Sequence, residues 1–287
     1  MPTPRVESVG LKRVLRRADV FALAFGAMIG WGWVVLAGDM IGLAGTLGSA
    51  LAFVVGAVMV LLVGLTYAEL TPALSRAGGE LAFTFVGLGP RAAYVSGWTL
   101  ALAYLSVCAF EAVALPTVAQ YLFGSLKGMH LWTVAGWEVT TGWAATGVIG
   151  ALAIGVVNHL GIRASSTMQL AGAALMLLIG LGLFVPGAFV GSTTNLQPYF
   201  TTTGGLFRVV MMTPFLFLGF DVVPQVAEEI DVPGRAIGRL IVVSIVIALA
   251  WYAAVQLVVG YTLTPALQAA GDLPTADAMV AVWNSAW

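Results

Sequence analysis

The chain has 287 residues, of which 60% are hydrophobic and only 9% are charged, and its formal net charge is −1. Soluble domains carry about a quarter charged residues, so this composition excludes an ordinary water-soluble domain and predicts a membrane protein. The near-zero net charge argues against a nucleic-acid partner, and a single cysteine, Cys108, excludes disulfides within the chain and thiolate metal clusters. The partner that the composition predicts is the lipid bilayer.

Seven stretches are long and apolar enough to cross a hydrocarbon core of about 30 Å, which takes about 20 helical residues. They cover residues 20–41, 46–74, 92–123, 141–160, 166–190, 205–227 and 237–260. The first stretch is too long and too rich in glycine to be a cleaved signal peptide, so it counts as a span. The sequence therefore predicts an all-α integral membrane protein with about seven transmembrane helices.

Basic residues predict the orientation, because cytoplasmic loops of membrane proteins carry an excess of lysine and arginine. With the N-terminus inside, ten of the twelve basic residues fall on the cytoplasmic side, and only Lys127 and Arg208 fall outside. The ten are Arg5, Lys12, Arg13, Arg16, Arg17, Arg76, Arg91, Arg163, Arg235 and Arg239. We predict a multi-pass protein of the cell membrane with a cytoplasmic N-terminus, and an odd number of spans then leaves Trp287 outside.

Glycines interrupt the first and the sixth predicted span at matching places. The first contains Gly26, Gly30 and Gly32, with Trp31 between the last two, and the sixth contains Gly219. A broken helix survives in lipid only where its backbone is buried or lines a cavity, and a matched pair of such segments is the best sequence indication of a transporter's binding site. Bare N–H groups attract an anion and bare carbonyls a cation, so the pair predicts a site for a ligand with both charges. The alternative is two kinked helices packed against their neighbours.

Two acidic residues inside the predicted spans are candidate coupling groups, because an ionisable side chain in lipid is costly and usually functional. Asp221 lies just past the break of the sixth span, and Glu111 lies in the outer half of the third. Either could carry a proton; the alternatives are a helix cap for Asp221 and a hydrogen-bonded interior carboxyl for Glu111. The sequence contains no phosphate loop, nucleophile–base pair or metal-ligand spacing, so we expect no metal site, no cofactor and no enzyme activity.

Four motifs occur in an order that is typical of one family: residues 26–34, 67–70, 75–80, and 219–221 followed by 228–235. Together they resemble an amino-acid permease of the amino acid–polyamine–organocation superfamily. The resemblance implies a leucine-transporter-like bundle, in which two inverted five-helix repeats each begin with a helix that is unwound at the midplane of the membrane.

The resemblance divides the chain into five parts. They are a cytoplasmic segment 1–18, the first repeat 19–190, an extracellular loop 191–204, the first two helices of the second repeat 205–260, and a last part 261–287. The last part would be an extracellular loop that could begin an eighth helix. Family members usually carry at least ten core helices, so this chain is expected to be a fragment, a truncated reading frame or one piece of a split transporter.

The resemblance also implies which residues bind substrate. They are Met28, Ile29, Gly30, Trp31, Gly32, Phe215, Leu218 and Gly219. N–H groups of the first break would meet the substrate's carboxylate, carbonyls of both breaks would meet its ammonium, and Phe215 would be an aromatic gate. Trp31 departs from the family pattern, which has a small hydroxyl residue between the two glycines; a tryptophan there would fill volume or stack on the substrate.

The function implied is a secondary active permease that imports an amino acid or related amine, with protons coupled through Asp221 or Glu111. Many sodium-independent relatives carry a lysine in the fifth helix, whereas residues 166–190 contain no lysine or arginine and the aligned position is Met176. A sodium site is therefore the other coupling mode. The alternative class is a non-transporting membrane protein, either a truncated remnant or a split-transporter subunit that needs a partner chain for the missing helices.

Overall fold

The computed structural model describes residues 12–285 except 75, 125, 127, 135 and 272. Arg5, Lys127 and Trp287, which contribute to the orientation argument, and Ser75 of the third motif lie outside the described residues. The helices are α1 (Arg17–Met28), α2 (Gly32–Val35), α3 (Ala37–Ala44), α4 (Thr46–Leu74), α5 (Gly79–Leu88), α6 (Pro90–Phe123), α7 (Thr141–His159), α8 (Ile162–Val190), α9 (Thr203–Leu216), α10 (Val222–Gln225), α11 (Gly234–Thr262), α12 (Pro265–Ala270) and α13 (Pro274–Ser285).

Six helical segments in the described part are long and apolar enough to cross a membrane: the α1–α2 segment, α4, α6, α7, α8 and α11. The sixth predicted span, residues 205–227, is divided into α9 with 14 residues and α10 with 4. Turns at 217–221 separate the two pieces. Neither piece alone has the roughly 20 residues that a crossing needs. The apolar sequence continues through residues 217–221, but the helix does not.

A two-stranded hairpin, which was not predicted from the sequence, lies between α6 and α7. Its strands β1 (His130–Val134) and β2 (Trp137–Thr140) pair in antiparallel orientation. Gly136, with a φ of 87°, lies in the turn that joins them. Valine, threonine and tryptophan favour strands, but a run of four or five residues is too short to stand out beside membrane-length helices.

The centre of the bundle is formed by α4 and α11, with α1 and α9 packed against them. Small residues allow this close approach: a Cβ on Gly238 would lie 2.9 Å from the carbonyl oxygen of Ala68. Large apolar side chains on α6, α7 and α8 point outward instead, as Leu105, Leu152 and Leu178 illustrate with 65–68% of their surface exposed. Such an exposed apolar surface suits lipid and not water.

A short element covers each end of the bundle. At one end α13 packs on α2, α3, α8 and α11; its Ala278 is fully buried, and the Thr275 hydroxyl donates to the Trp33 carbonyl at 3.0 Å. At the other end the chain before α1 crosses the segment that follows α10, and Leu15 forms a parallel bridge with Ile230. The two breaks lie between these elements.

Candidate functional site

The first helical segment is interrupted between α1 and α2. The N–H of Ile29 still bonds to the Phe25 carbonyl at 3.0 Å, but the ψ of Ile29 is 72°, outside the helical range. Helix resumes only at Gly32, after Gly30 and Trp31. Glycine is a poor helix former, so this glycine-rich stretch is the weakest point of the segment. Carbonyls at the end of α1 and N–H groups before α2 therefore need partners outside their own helix.

The second break, between α9 and α10, rests on the first. Gly219 has a φ of 130°, which side-chain-bearing residues rarely adopt. A Cβ at this position would lie 2.5 Å from the carbonyl carbon of Ala27 and 2.6 Å from the backbone nitrogen of Met28. Glycine is thus required twice here, for the backbone conformation and for the contact with the last turn of α1.

Tyr252 of α11 joins the carbonyl ends of both broken helices. Its fully buried hydroxyl donates to the Met28 carbonyl at 2.7 Å and lies 3.0 Å from the Leu216 carbonyl. The Phe215 carbonyl accepts the Leu218 N–H at 3.3 Å within the turn. Two of the carbonyls that the sequence analysis assigned to a substrate ammonium are therefore bonded to groups of the protein. Tyr252 was not predicted, because nothing in its sequence context distinguishes it from other helical tyrosines.

Glu111 of α6 lies directly on the first break. Both oxygens of its carboxylate accept the N–H of Trp31, at 3.1 and 3.3 Å. A Cβ on Gly30 would overlap the same carboxylate. Of the two alternatives for Glu111, the structure thus gives the hydrogen-bonded carboxyl, bonded to an N–H group that the sequence analysis assigned to the substrate's carboxylate. A role in coupling stays a prediction.

Asp221 holds the second break and is 4% exposed. One carboxylate oxygen accepts the Gly219 N–H at 2.8 Å, and the other accepts the Tyr104 hydroxyl at 2.5 Å. It makes no capping bond to α10, so the helix-cap interpretation is wrong: the carboxylate bonds backward to the turn and across to α6. Tyr104 precedes Glu111 by seven residues, about 10 Å along the helix, so the two carboxylates serve different breaks.

Two cavities lie on either side of the breaks. One, of about 860 Å³, is lined by Asp39 of α3, Thr117 of α6 and Met212 of α9, among others; we call it the Asp39 cavity. The other, of about 520 Å³, is lined by residues including Asp221 and Leu218; we call it the Asp221 cavity. Along α6, the stretch between the two linings contains Tyr104, Phe110 and Glu111.

An aromatic pair fills the layer between the two cavities. Phe110 and Phe215 meet edge to face, with ring centroids 5.4 Å apart, and the Cα of Gly32 packs closely on Leu216 beside them. The predicted residues of the first break thus meet Glu111 and Leu216, whereas Leu218 and Asp221 line the Asp221 cavity. Substrate binding by these residues stays a prediction.

Glu80 of α5 is a polar residue of the Asp221 cavity that the sequence analysis placed only within a motif. Its carboxylate accepts a hydrogen bond from the side-chain amide of Gln225 in α10. Burial raises the pKa of the Glu80 carboxyl, and the nearby Asp221 carboxylate acts in the same direction. Glu80 follows a glycine-rich turn in the sequence, and nothing in that context predicts its contact with α10.

The family described as Amino acid permease matches residues 15–287. The chain belongs to this family. Membership, together with the six membrane-length apolar helices in the described part, confirms the predicted all-α integral membrane fold and the predicted family. The family consists of transporters and not enzymes.

Three curated relatives show what the chain is similar to. The branched-chain amino acid permease BcaP of Bacillus subtilis (strain 168) is 30% identical over 253 residues, which are 86% of this chain and 54% of that protein. Cationic amino acid transporter 4 of Homo sapiens is 30% identical over 262 residues, 86% of this chain and 40% of the relative. The aspartate-proton symporter of B. subtilis is 24% identical over 252 residues, which are 83% of this chain and 46% of that protein. The chain spans about half the length of the relatives it matches.

Proposed function

We propose that this chain forms all or part of a secondary active transporter that imports an amino acid or related amine across the cell membrane. Its N-terminus would lie in the cytoplasm and both breaks at the bilayer midplane. The observation that carries the proposal is the contact of the two broken segments at Gly219 and Met28. This contact lies in a layer between two cavities. Alternating access of a central site from two sides needs such a layer.

The substrate class is proposed from what the named relatives share. Their printed names refer to branched-chain amino acids, cationic amino acids and aspartate, which differ in side-chain charge and shape. The groups common to these substrates are an ammonium and a carboxylate. Backbone groups at broken helices suit those common groups, because carbonyl ends attract cations and N–H ends attract anions.

Proton coupling is proposed through Asp221 or Glu111, whose carboxylates bond to the two breaks. Protonation removes the charge that strengthens a hydrogen bond from a backbone N–H, so a proton can loosen either break. The relative named as an aspartate-proton symporter supports this mode. A sodium site is the alternative, and it would need several oxygen ligands around the ion.

We expect uptake to rise as external pH falls and to be unchanged when choline replaces sodium. A carboxyl group facing the outside is protonated more often at low pH, so more transporters carry the coupled proton. Asp221→Asn or Glu111→Gln should flatten this pH dependence several-fold and leave substrate exchange intact. Uptake of labelled L-leucine and L-lysine into proteoliposomes measures it, with Glu69→Gln, an exposed carboxylate on α4, as the matched control. Uptake that collapses without sodium, with both variants unaffected, would reject proton coupling.

A second candidate is a subunit that transports only with a partner. This candidate is favoured by the share of each relative that aligns with the chain, which is 40–54% for the relatives named above. Further helices, on a longer form of this polypeptide or on a partner chain, would then complete the bundle. Uptake by this chain alone in proteoliposomes rejects the partner requirement, whereas binding without uptake supports it.

A further inference from the structure

The N–H of Trp31 is already bonded to a carboxylate of the protein. Both Glu111 oxygens lie within 3.3 Å of the Trp31 nitrogen. The same carboxylate lies so close to the Cα of Gly30 that a Cβ would overlap it. If a substrate approached the first break, its carboxylate would find the Trp31 N–H already occupied by the Glu111 carboxylate. Two like charges cannot share one N–H without a large electrostatic penalty.

We infer that Glu111 is an internal competitor for the substrate's carboxylate and sets how strongly the site prefers a carboxylate-free amine over the corresponding amino acid. This inference rests on the proposed function and adds the residue that determines specificity at its central site. An amino acid must displace Glu111 from Trp31, whereas an amine need not, and the negative charge of Glu111 attracts its ammonium.

The surroundings of Glu111 support this role. Among the described residues, no basic side chain pairs with its carboxylate, whose hydrogen-bond donor is the N–H of Trp31. The segment packed on it, Gly30–Trp31, brings no charged group. The end of α9 brings none either: Phe215 packs on the adjacent Phe110, and the Tyr252 phenol of α11 is bonded to backbone carbonyls. A ligand ammonium would therefore be the cation in this layer.

Matched ligand pairs test the inference directly. L-leucine and isopentylamine share one side chain, L-lysine and cadaverine share another, and each pair differs only by the carboxylate. Binding of the four ligands is measured to the full chain in nanodiscs, for wild type, Glu111→Ala, Glu111→Gln and the control Glu69→Gln. We expect the ratio of amino-acid to amine affinity to rise about tenfold in Glu111→Ala, the scale of one hydrogen bond to a charged group. Glu111→Gln should give a smaller rise and Glu69→Gln none.

Gly30→Ala supplies a second test that needs no ligand. Its methyl group would push the Glu111 carboxylate off Trp31, so it should lower the melting temperature by about 3 °C or more in wild type. In the Glu111→Ala variant the carboxylate is absent and the added methyl group fits, so the effects of the two substitutions in this double-mutant cycle should be strongly non-additive. Additive effects would overturn the contact on which the inference rests.

The outcomes separate the inference from the function it rests on. Equal affinity ratios in wild type and Glu111→Ala overturn the competitor role of Glu111 and leave the permease proposal standing. If none of the four ligands binds any variant saturably, both are overturned, whatever the cycle at Gly30 shows. A ratio that rises in Glu111→Ala and Glu111→Gln, with a non-additive cycle, supports the inference.

Discussion

Gly219→Ala is expected to destabilise the protein severely although it adds a single methyl group. That methyl would lie 2.5 Å from the backbone of Ala27, which cannot rotate away as a side chain would. Overpacking typically costs about 1–3 kcal/mol, and a non-glycine residue at the φ of 130° costs about 1–3 kcal/mol more. The sum approaches the total unfolding free energy of a marginally stable protein, about 5 kcal/mol.

The measurement is the yield of monodisperse protein in detergent and its apparent melting temperature. Gly172→Ala in α8 is the matched control, since nothing lies within 4 Å of the Cβ it would introduce. The control should be neutral or slightly stabilising, because alanine is the better helix former. A melting temperature for Gly219→Ala equal to that of wild type would mean that the second break does not rest on α1.

Helix positions were predictable because hydropathy is a local property. The second predicted span, residues 46–74, coincides with α4 at Thr46–Leu74, and the fourth, 141–160, differs from α7 by one residue. The sixth predicted span, 205–227, is divided by turns at 217–221, around the Gly219 that the sequence marked as an interruption; hydropathy does not show where the helix stops, because apolar residues continue through the turns. The hairpin was missed because strands of four or five residues carry a weak signal.

The partners of the breaks were not predictable, since they depend on how the helices pack. Trp31 and Glu111 are 80 positions apart, and Tyr252 is 224 positions from Met28. An acidic residue inside an apolar span is costly to desolvate and therefore stands out in the sequence, so Glu111 and Asp221 could be identified as candidates. A buried tyrosine incurs no comparable cost, so Tyr252 and Tyr104 could not be distinguished from the other tyrosines.

Tyr252→Phe is expected to lower the unfolding free energy by about 2 kcal/mol or more. The variant keeps the ring, which stacks on Phe53 with centroids 4.8 Å apart, and removes only the hydroxyl. The Met28 and Leu216 carbonyls, both at helix ends in a buried layer, then lose this donor. A buried acceptor left unsatisfied costs about 1–3 kcal/mol, and the space left by one oxygen atom is too small for a water molecule to replace the hydroxyl as donor.

Thermal unfolding in detergent measures the effect, and Tyr261→Phe near the end of the same helix is the control. Within the described part, the Tyr261 hydroxyl has no hydrogen bond, so its loss should change the unfolding free energy by less than about 0.5 kcal/mol. A ligand adds a further distinction. If substrate ammonium binds the carbonyls that Tyr252 occupies, cadaverine should raise the melting temperature of Tyr252→Phe more than that of wild type, because the variant presents those carbonyls without a competing hydroxyl. Equal melting of both tyrosine variants would mean that the hydroxyl of Tyr252 does not hold the two breaks together.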